Sequence, residues 1–122
     1  MFSRLSTQSM AAPRPRVDIL QGTLDLLILR TLLFGSAHGH GIGKHIRSMS
    51  EDALQVETGS LYPALHRLEA QGWISAEWQL SDKGKRAKYY SLTRSGRKQL
   101  AAEQSKWDQL SAAMARVLKP AQ

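Results

Sequence analysis

The sequence predicts a mainly α-helical chain with one small β-ribbon: a winged helix-turn-helix followed by a long C-terminal helix. Three observations predict it. Residues 58–71 read as a short helix with one apolar edge. Two aromatic, alternating segments follow at once, joined by a turn rich in Lys and Arg. Residues 93–118 then carry an apolar seven-residue repeat, the pattern of a helix that packs along another helix.

Composition sets the outer bounds. A chain of 122 residues makes one small domain, which can bury about two-thirds of its surface. Apolar residues make up 42%, an ordinary share, but the net charge of +7 and a pI near 10.2 are not ordinary. Such a charge predicts attraction to polyanions, either nucleic acid or an anionic membrane surface. No apolar run approaches the roughly 20 residues that span a bilayer, so no membrane role is expected. Cysteine is absent from the sequence. Disulfide and thiolate chemistry are thereby excluded, and a reducing cytoplasm is the expected location.

Residues 1–18 mix Ser, Ala, Pro and Arg without periodicity and read as a disordered N-terminal arm. The arm lacks the apolar core of a secretory signal. Arg14 and Arg16 are its candidates for reaching a minor groove, as basic arms do elsewhere. Residues 19–92 form the expected winged domain.

Gly22 to Phe34 reads as the first helix, capped by Thr23 and with Asp25 near its positive end. Leucines and Ile28 cover nearly its whole circumference, broken only by Asp25, Arg30 and Thr31. A surface helix carries a single apolar stripe. A second copy of the chain is therefore expected to cover the other face, through Leu24, Leu27 and Ile28. The next segment, G-S-A-H-G-H-G, reads as a flexible turn. A short helix follows at about Ile42 to Met49, with Ile42, Ile46 and Met49 at helical spacing. S-E-D-A-L-Q-V-E is a connecting loop that turns Leu54 and Val56 toward the core.

In the third helix Leu61, Ala64, Leu65 and Leu68 fall within about 100° of the wheel and form the inner face. Gly59, Pro63, His66, Arg67 and Ala70 lie opposite, with Tyr62 at the boundary. Thr58 or Ser60 is the expected cap. Pro63 falls in the first turns, where its missing N–H costs least, and Gly72 ends the helix. Residues 73–78 and 87–92 alternate as strands do, and Asp82, Lys83 and Gly84 form the turn between them. From Lys83 to Lys98 there are seven basic residues and no acid, so the basicity is localised.

Thr93 caps a final helix running to about Leu118. Leu100, Trp107, Leu110, Met114 and Val117 fall on its a and d positions, interrupted by Glu103. A lone helix does not need such a seam, whereas a dimerisation helix does. Residues 93–118 are therefore assigned to homodimer formation.

Reading DNA requires cations that displace counterions, an element that fits the major groove, and side chains that reach base edges. Thr58, Ser60, Tyr62, Pro63, His66 and Arg67 on helix 58–71 are the candidates for the last two. Lys83, Lys85, Arg86 and Lys88 on a wing at 79–88 supply the cations. A solvated charge run is the plainer fate of a basic cluster, but the hairpin context and the lack of acids favour double-stranded DNA as the partner. His38 and His40, with His45 and His66, invite a metal reading. No three-ligand set with supporting carboxylates accompanies them, so neither metal nor cofactor is expected. Nor does any catalytic grouping appear, and an enzyme is not expected. Trp107 reads first as seam packing. An aromatic facing its symmetry mate can also wall a flat pore, so an alternative is a dimer that senses or sequesters a small hydrophobic or aromatic effector.

Several stretches carry a family likeness. L-x-G-T-L-D-L-L-I-L-R-T-L, H-G-x-G-I, G-S-L-Y-P-A-L-H-R-L-E-x-x-G-W-I and R-A-K-Y-Y-S-L-T-x-x-G, with the Trp107 helix, occur in one order over about Ile19 to Leu118. Together they resemble the PadR family of bacterial transcriptional regulators, in its short form with a single C-terminal helix. The resemblance implies a winged-helix homodimer, usually a repressor, whose C-terminal helix contacts the partner's N-terminal helix. It implies that Ser60, Tyr62, Pro63 and His66 face an operator, Tyr62 gripping a phosphate, with Lys85, Arg86 and Lys88 on the wing. Two departures are His40, where the family usually has Tyr, and Gln21, where Pro often precedes G-T-L. The expected function is a dimeric repressor on a palindromic operator whose half-sites lie about one helical turn apart. A non-specific architectural binder is disfavoured by the distinct outward set on the third helix.

Overall fold

In the computed structural model residues 21–120 are described; the N-terminal arm, with Arg14 and Arg16, lies outside the described residues. One leucine-rich helix, α1 (Gln21–Leu32), decides how the rest is packed. Around it lie α2 (Gly39–Met49), α3 (Thr58–Ala70), strand β3 (Arg86–Leu92) and α4 (Arg94–Val117). These elements bury much of its apolar surface within the single chain. Leu24 and Ile28 are only 3% and 0% exposed in the single chain, and Leu27 packs half-buried beside the same core. A wheel shows which faces are apolar but not how many of the chain's own elements surround them. Thr23 falls inside α1 rather than capping it. Buried Thr31 is satisfied by donating its hydroxyl to the Leu27 carbonyl at 2.8 Å.

The glycine-rich segment after α1 is more ordered than a flexible turn. Ala37–His38 form a two-residue strand, β1, that pairs antiparallel with β3 at Ala37↔Tyr90 and His38↔Tyr89. His38 then opens α2 three residues earlier than Ile42, because its Nδ1 accepts the Gly41 N–H at 2.9 Å. An imidazole here fills the role usually taken by Ser or Asp.

Neither Thr58 nor Ser60 caps α3. Glu57 holds the cap position without a side-chain capping bond, and Pro63 lies beyond the first turn, where it forfeits the bond a residue there donates to the Gly59 carbonyl. The C-terminal end is well closed. Gly72, at φ 78°, donates to the Glu69 carbonyl at 2.9 Å, and Trp73 donates to that of Leu68 at 3.1 Å. This is the paired bonding of a Schellman ending, which glycine's left-handed backbone permits. Strand β2 (Ile74–Leu80) then pairs with β3 from Ile74↔Leu92 to Leu80↔Arg86, giving a three-stranded antiparallel sheet in the order β1-β3-β2. At the tip Gly84 donates to the Ser81 carbonyl at 2.9 Å.

Thr93 caps α4 as the sequence predicts. Its hydroxyl accepts the Gly96 N–H at 3.0 Å and donates to the Gly72 carbonyl at 2.7 Å, tying α4 to the end of α3. Ile42, Leu65, Leu68, Ile74 and Tyr90 meet the buried side of α1 in one core, with Leu54 and Val56 packed at its margin. None of the described helices is long and apolar enough to cross a membrane.

Candidate nucleic-acid interface

Close packing of α3, the β2–β3 hairpin and the start of α2 leaves a groove of about 990 Å³. Tyr62 and His66 contribute one wall from α3. Trp78, Lys83, Lys85, Arg86 and Lys88 contribute the other from the hairpin, with His38, His40 and Lys44 at the α2 end. Residues far apart in sequence thus give a single cationic face, in which Asp82 is the one acid of the lining. Thr58, Ser60 and Pro63 are exposed on the same helix but are not part of the groove's lining.

Arg67 departs from the sequence reading. Its Nη2 lies 2.6 Å from Asp25 Oδ1 on α1, and the two side chains are 36% and 21% exposed. The guanidinium, expected to face DNA, is turned to the neighbouring helix in the single chain. Asp25 sits 42 residues away, which no local pattern can reveal. Burial raises the Asp25 carboxyl above its ordinary 3.8; the Arg67 hydrogen bond and charge draw it down part of the way, while Glu103 pushes it up. Burial likewise raises the Tyr90 phenol, against the charge of Lys88.

Lys88 is partly committed as well: its Nζ lies 3.3 Å from Glu69 Oε1 and 5.7 Å from the centre of the Tyr90 ring. Arg86 instead sits over Trp78, 5.1 Å from the ring centre. Sequence reasoning singled out neither Trp78, Lys44 nor Gly39 for this site. Trp78 was findable, since the hairpin register places it beside the basic strand. Gly39 was not. The Tyr62 ring lies over it so closely that a Cβ there would stand 2.6 Å from Tyr62 Oη.

On α4, Leu100 is 6% exposed and belongs to the chain's own core, which corrects its assignment to a dimer seam. Trp107, Leu110, Met114 and Val117 are exposed beyond it, between 44% and 82%. Trp107 also lines a shallow cleft of about 270 Å³ with Thr23, Leu26, Glu103, Lys106 and Leu110. His38 and His40 stand 6.2 Å apart between ring centres, and His38 uses Nδ1 as the α2 cap. Among the described residues no group of three or more His, Cys, Asp or Glu is placed to hold a metal ion.

A winged helix-turn-helix with its third helix and basic ribbon flanking one groove defines the framework of a transcriptional regulator. Residues 28–102, more than half of the chain, match the transcriptional regulator PadR-like family, and the chain belongs to it. A PadR family transcription regulator from Clostridium difficile is 31% identical, with a TM-score of 0.68 over 78% of this chain and 97% of that one. A transcriptional regulator from Clostridium thermocellum is 28% identical, with a TM-score of 0.75 over 81% of this chain and 96% of that one. A transcriptional regulator of Mycobacterium tuberculosis is 34% identical over 65 residues, which span 53% of this chain and 60% of that protein. Family members are transcriptional regulators rather than enzymes.

Proposed function

We propose that the chain acts in the cytoplasm as a homodimeric repressor that binds a palindromic operator. In each copy α3 enters the major groove and the β2–β3 wing lies on the adjacent backbone. The observation that carries the reading is the shared groove, which sets Tyr62 and His66 beside Lys83, Lys85 and Arg86. Thr58, Ser60 and Pro63 are exposed on the same helix and are further candidates for contact with DNA. Two copies pair along Trp107, Leu110, Met114 and Val117, whose exposure on one side of α4 leaves an apolar stripe without cover in the single chain. Gel shift on the DNA upstream of the chain's own gene tests this. Saturable binding that weakens steeply with salt is expected. Equal affinity for random DNA at moderate salt refutes a sequence-specific repressor.

A second reading has one observation in its favour, the cleft beside Trp107. A planar hydrophobic effector that stacks there changes the indole's emission. Titration of the chain with phenolic compounds should show quenching that Trp107→Phe abolishes; no quenching by any compound of a hydrophobic library removes the effector.

A further inference from the structure

We propose that Trp78 is a specificity-determining positioning residue, holding Arg86 ready for the minor groove that flanks the site read by α3. The inference rests on the DNA-binding reading above. Its starting point is an indole with no packing task of its own. Along β2, Ile74 is buried, Ala76 is half-buried, and Trp78 and Leu80 continue the same face beyond the core, 57% and 69% exposed. Across the ladder Trp78 opposes Lys88 and Leu80 opposes Arg86, so Arg86 is the diagonal neighbour of Trp78. The guanidinium carbon sits 5.1 Å from the indole centre, within the range of a cation–π contact.

The nature of that partner sets Arg86 apart from the other cations nearby. Arg67 is held by Asp25 and Lys88 by Glu69, each with its charge offset by a carboxylate. Among the described residues Arg86 has no carboxylate partner. An indole face orients a guanidinium without cancelling its charge or occupying its N–H donors in the ring plane. Arg86 therefore rests over the indole with no carboxylate offsetting its charge, and it lines the groove shared with α3. A narrow A·T minor groove concentrates negative potential and draws in arginine, which sheds water more readily than lysine. With α3 in the major groove, the adjoining ribbon meets the neighbouring minor groove. Lys83 and Lys85 at the tip contact phosphates whatever the sequence, while Arg86 over Trp78 adds a preference for A·T flanks. An exposed cation–π contact of this kind corresponds to roughly three-fold in affinity.

The test uses the full chain and one core duplex selected by the wild type from a random library, placed between A·T, inosine·C or G·C flanks. Inosine·C presents an A·T-like minor groove and a G·C-like major groove, so it isolates the groove in question. Wild type should favour A·T and inosine·C flanks over G·C. Trp78→Leu should lose roughly three-fold of that preference, and Trp78→Phe, which keeps an aromatic face, should retain most of it. Arg86→Gln should reproduce the loss without altering the indole, which covers the case of a poorly folded Leu variant. Unchanged flank preference in Trp78→Leu and Arg86→Gln, or equal loss on all three duplexes, overturns the proposal. Failure of Trp78→Phe alongside Trp78→Leu also overturns it. A wild-type chain that selects no sequence from the library refutes the DNA-binding reading itself, and this inference with it.

Discussion

Replacing Arg67 with alanine asks whether a cation on α3 serves DNA or the fold. Its Nη2 lies 2.6 Å from Asp25 Oδ1, with the pair 36% and 21% exposed. A hydrogen bond between ionised groups contributes about 1.5–3 kcal/mol. Partial exposure screens it, leaving about 1–2 kcal/mol here. At fixed protein concentration the melting temperature should fall by about 4–10 °C, with little change in how steeply DNA affinity depends on salt. The pH dependence adds a signed check. Burial holds the Asp25 carboxyl above 3.8, so the folded chain binds a proton that the unfolded chain has already released. Stability from this group is therefore greatest on the acid side and falls as pH rises through the window above 3.8. Arg67→Ala removes the two influences that draw the carboxyl down, so this fall should become larger; Asp25→Asn should abolish it. An unchanged melting curve, with the salt dependence reduced by about one unit, refutes the reasoning and returns Arg67 to the DNA.

Two glycine substitutions separate function from stability. Gly39→Ala places a Cβ 2.6 Å from Tyr62 Oη; the partly exposed ring can swing away, so melting should stay within about 1 kcal/mol while gel-shift affinity falls. Gly96→Ala meets the backbone carbonyl of Trp73, which cannot swing, and Leu92 Cδ1 at 2.8 Å; denaturant melts should show a loss of about 1–3 kcal/mol. Leu110→Asp should yield a monomer by sedimentation with the single-chain core intact, because Leu110 is 55% exposed. A persistent dimer there refutes the α4 stripe as the seam.

Local patterns were legible wherever the chain answers to its neighbours in sequence. The inner face of α3, its stop at Gly72, the Thr93 cap and the basic hairpin all follow from spacing and turn chemistry over a few residues. What escaped depends on contacts between distant segments. Strand β1 has two residues, too few to show a period, and exists because β3 offers it an edge. The wheel of α1 is apolar nearly all round, and it does not show that α2, α3, α4 and β3 pack on this helix within one chain. Arg67 faced outward on an isolated wheel, but a long side chain reaches whichever carboxylate packing brings near, and that is Asp25. The Gly39–Tyr62 contact joins two helices and leaves no mark in either segment.

The same limit governs the charge count. Seven basic residues between Lys83 and Lys98 suggest one continuous patch, yet the structure divides them. Lys88 is offset by Glu69, while Arg94, Arg97 and Lys98 are exposed on the first turns of α4 and do not line the groove. Lys83, Lys85 and Arg86 are the cations of that run that line the groove without a carboxylate partner among the described residues. Counterion release scales with phosphates neutralised rather than with total charge. Arg67 and Lys88, held by Asp25 and Glu69, therefore add less to any attraction for a polyanion and instead tie α3 to α1 and to β3.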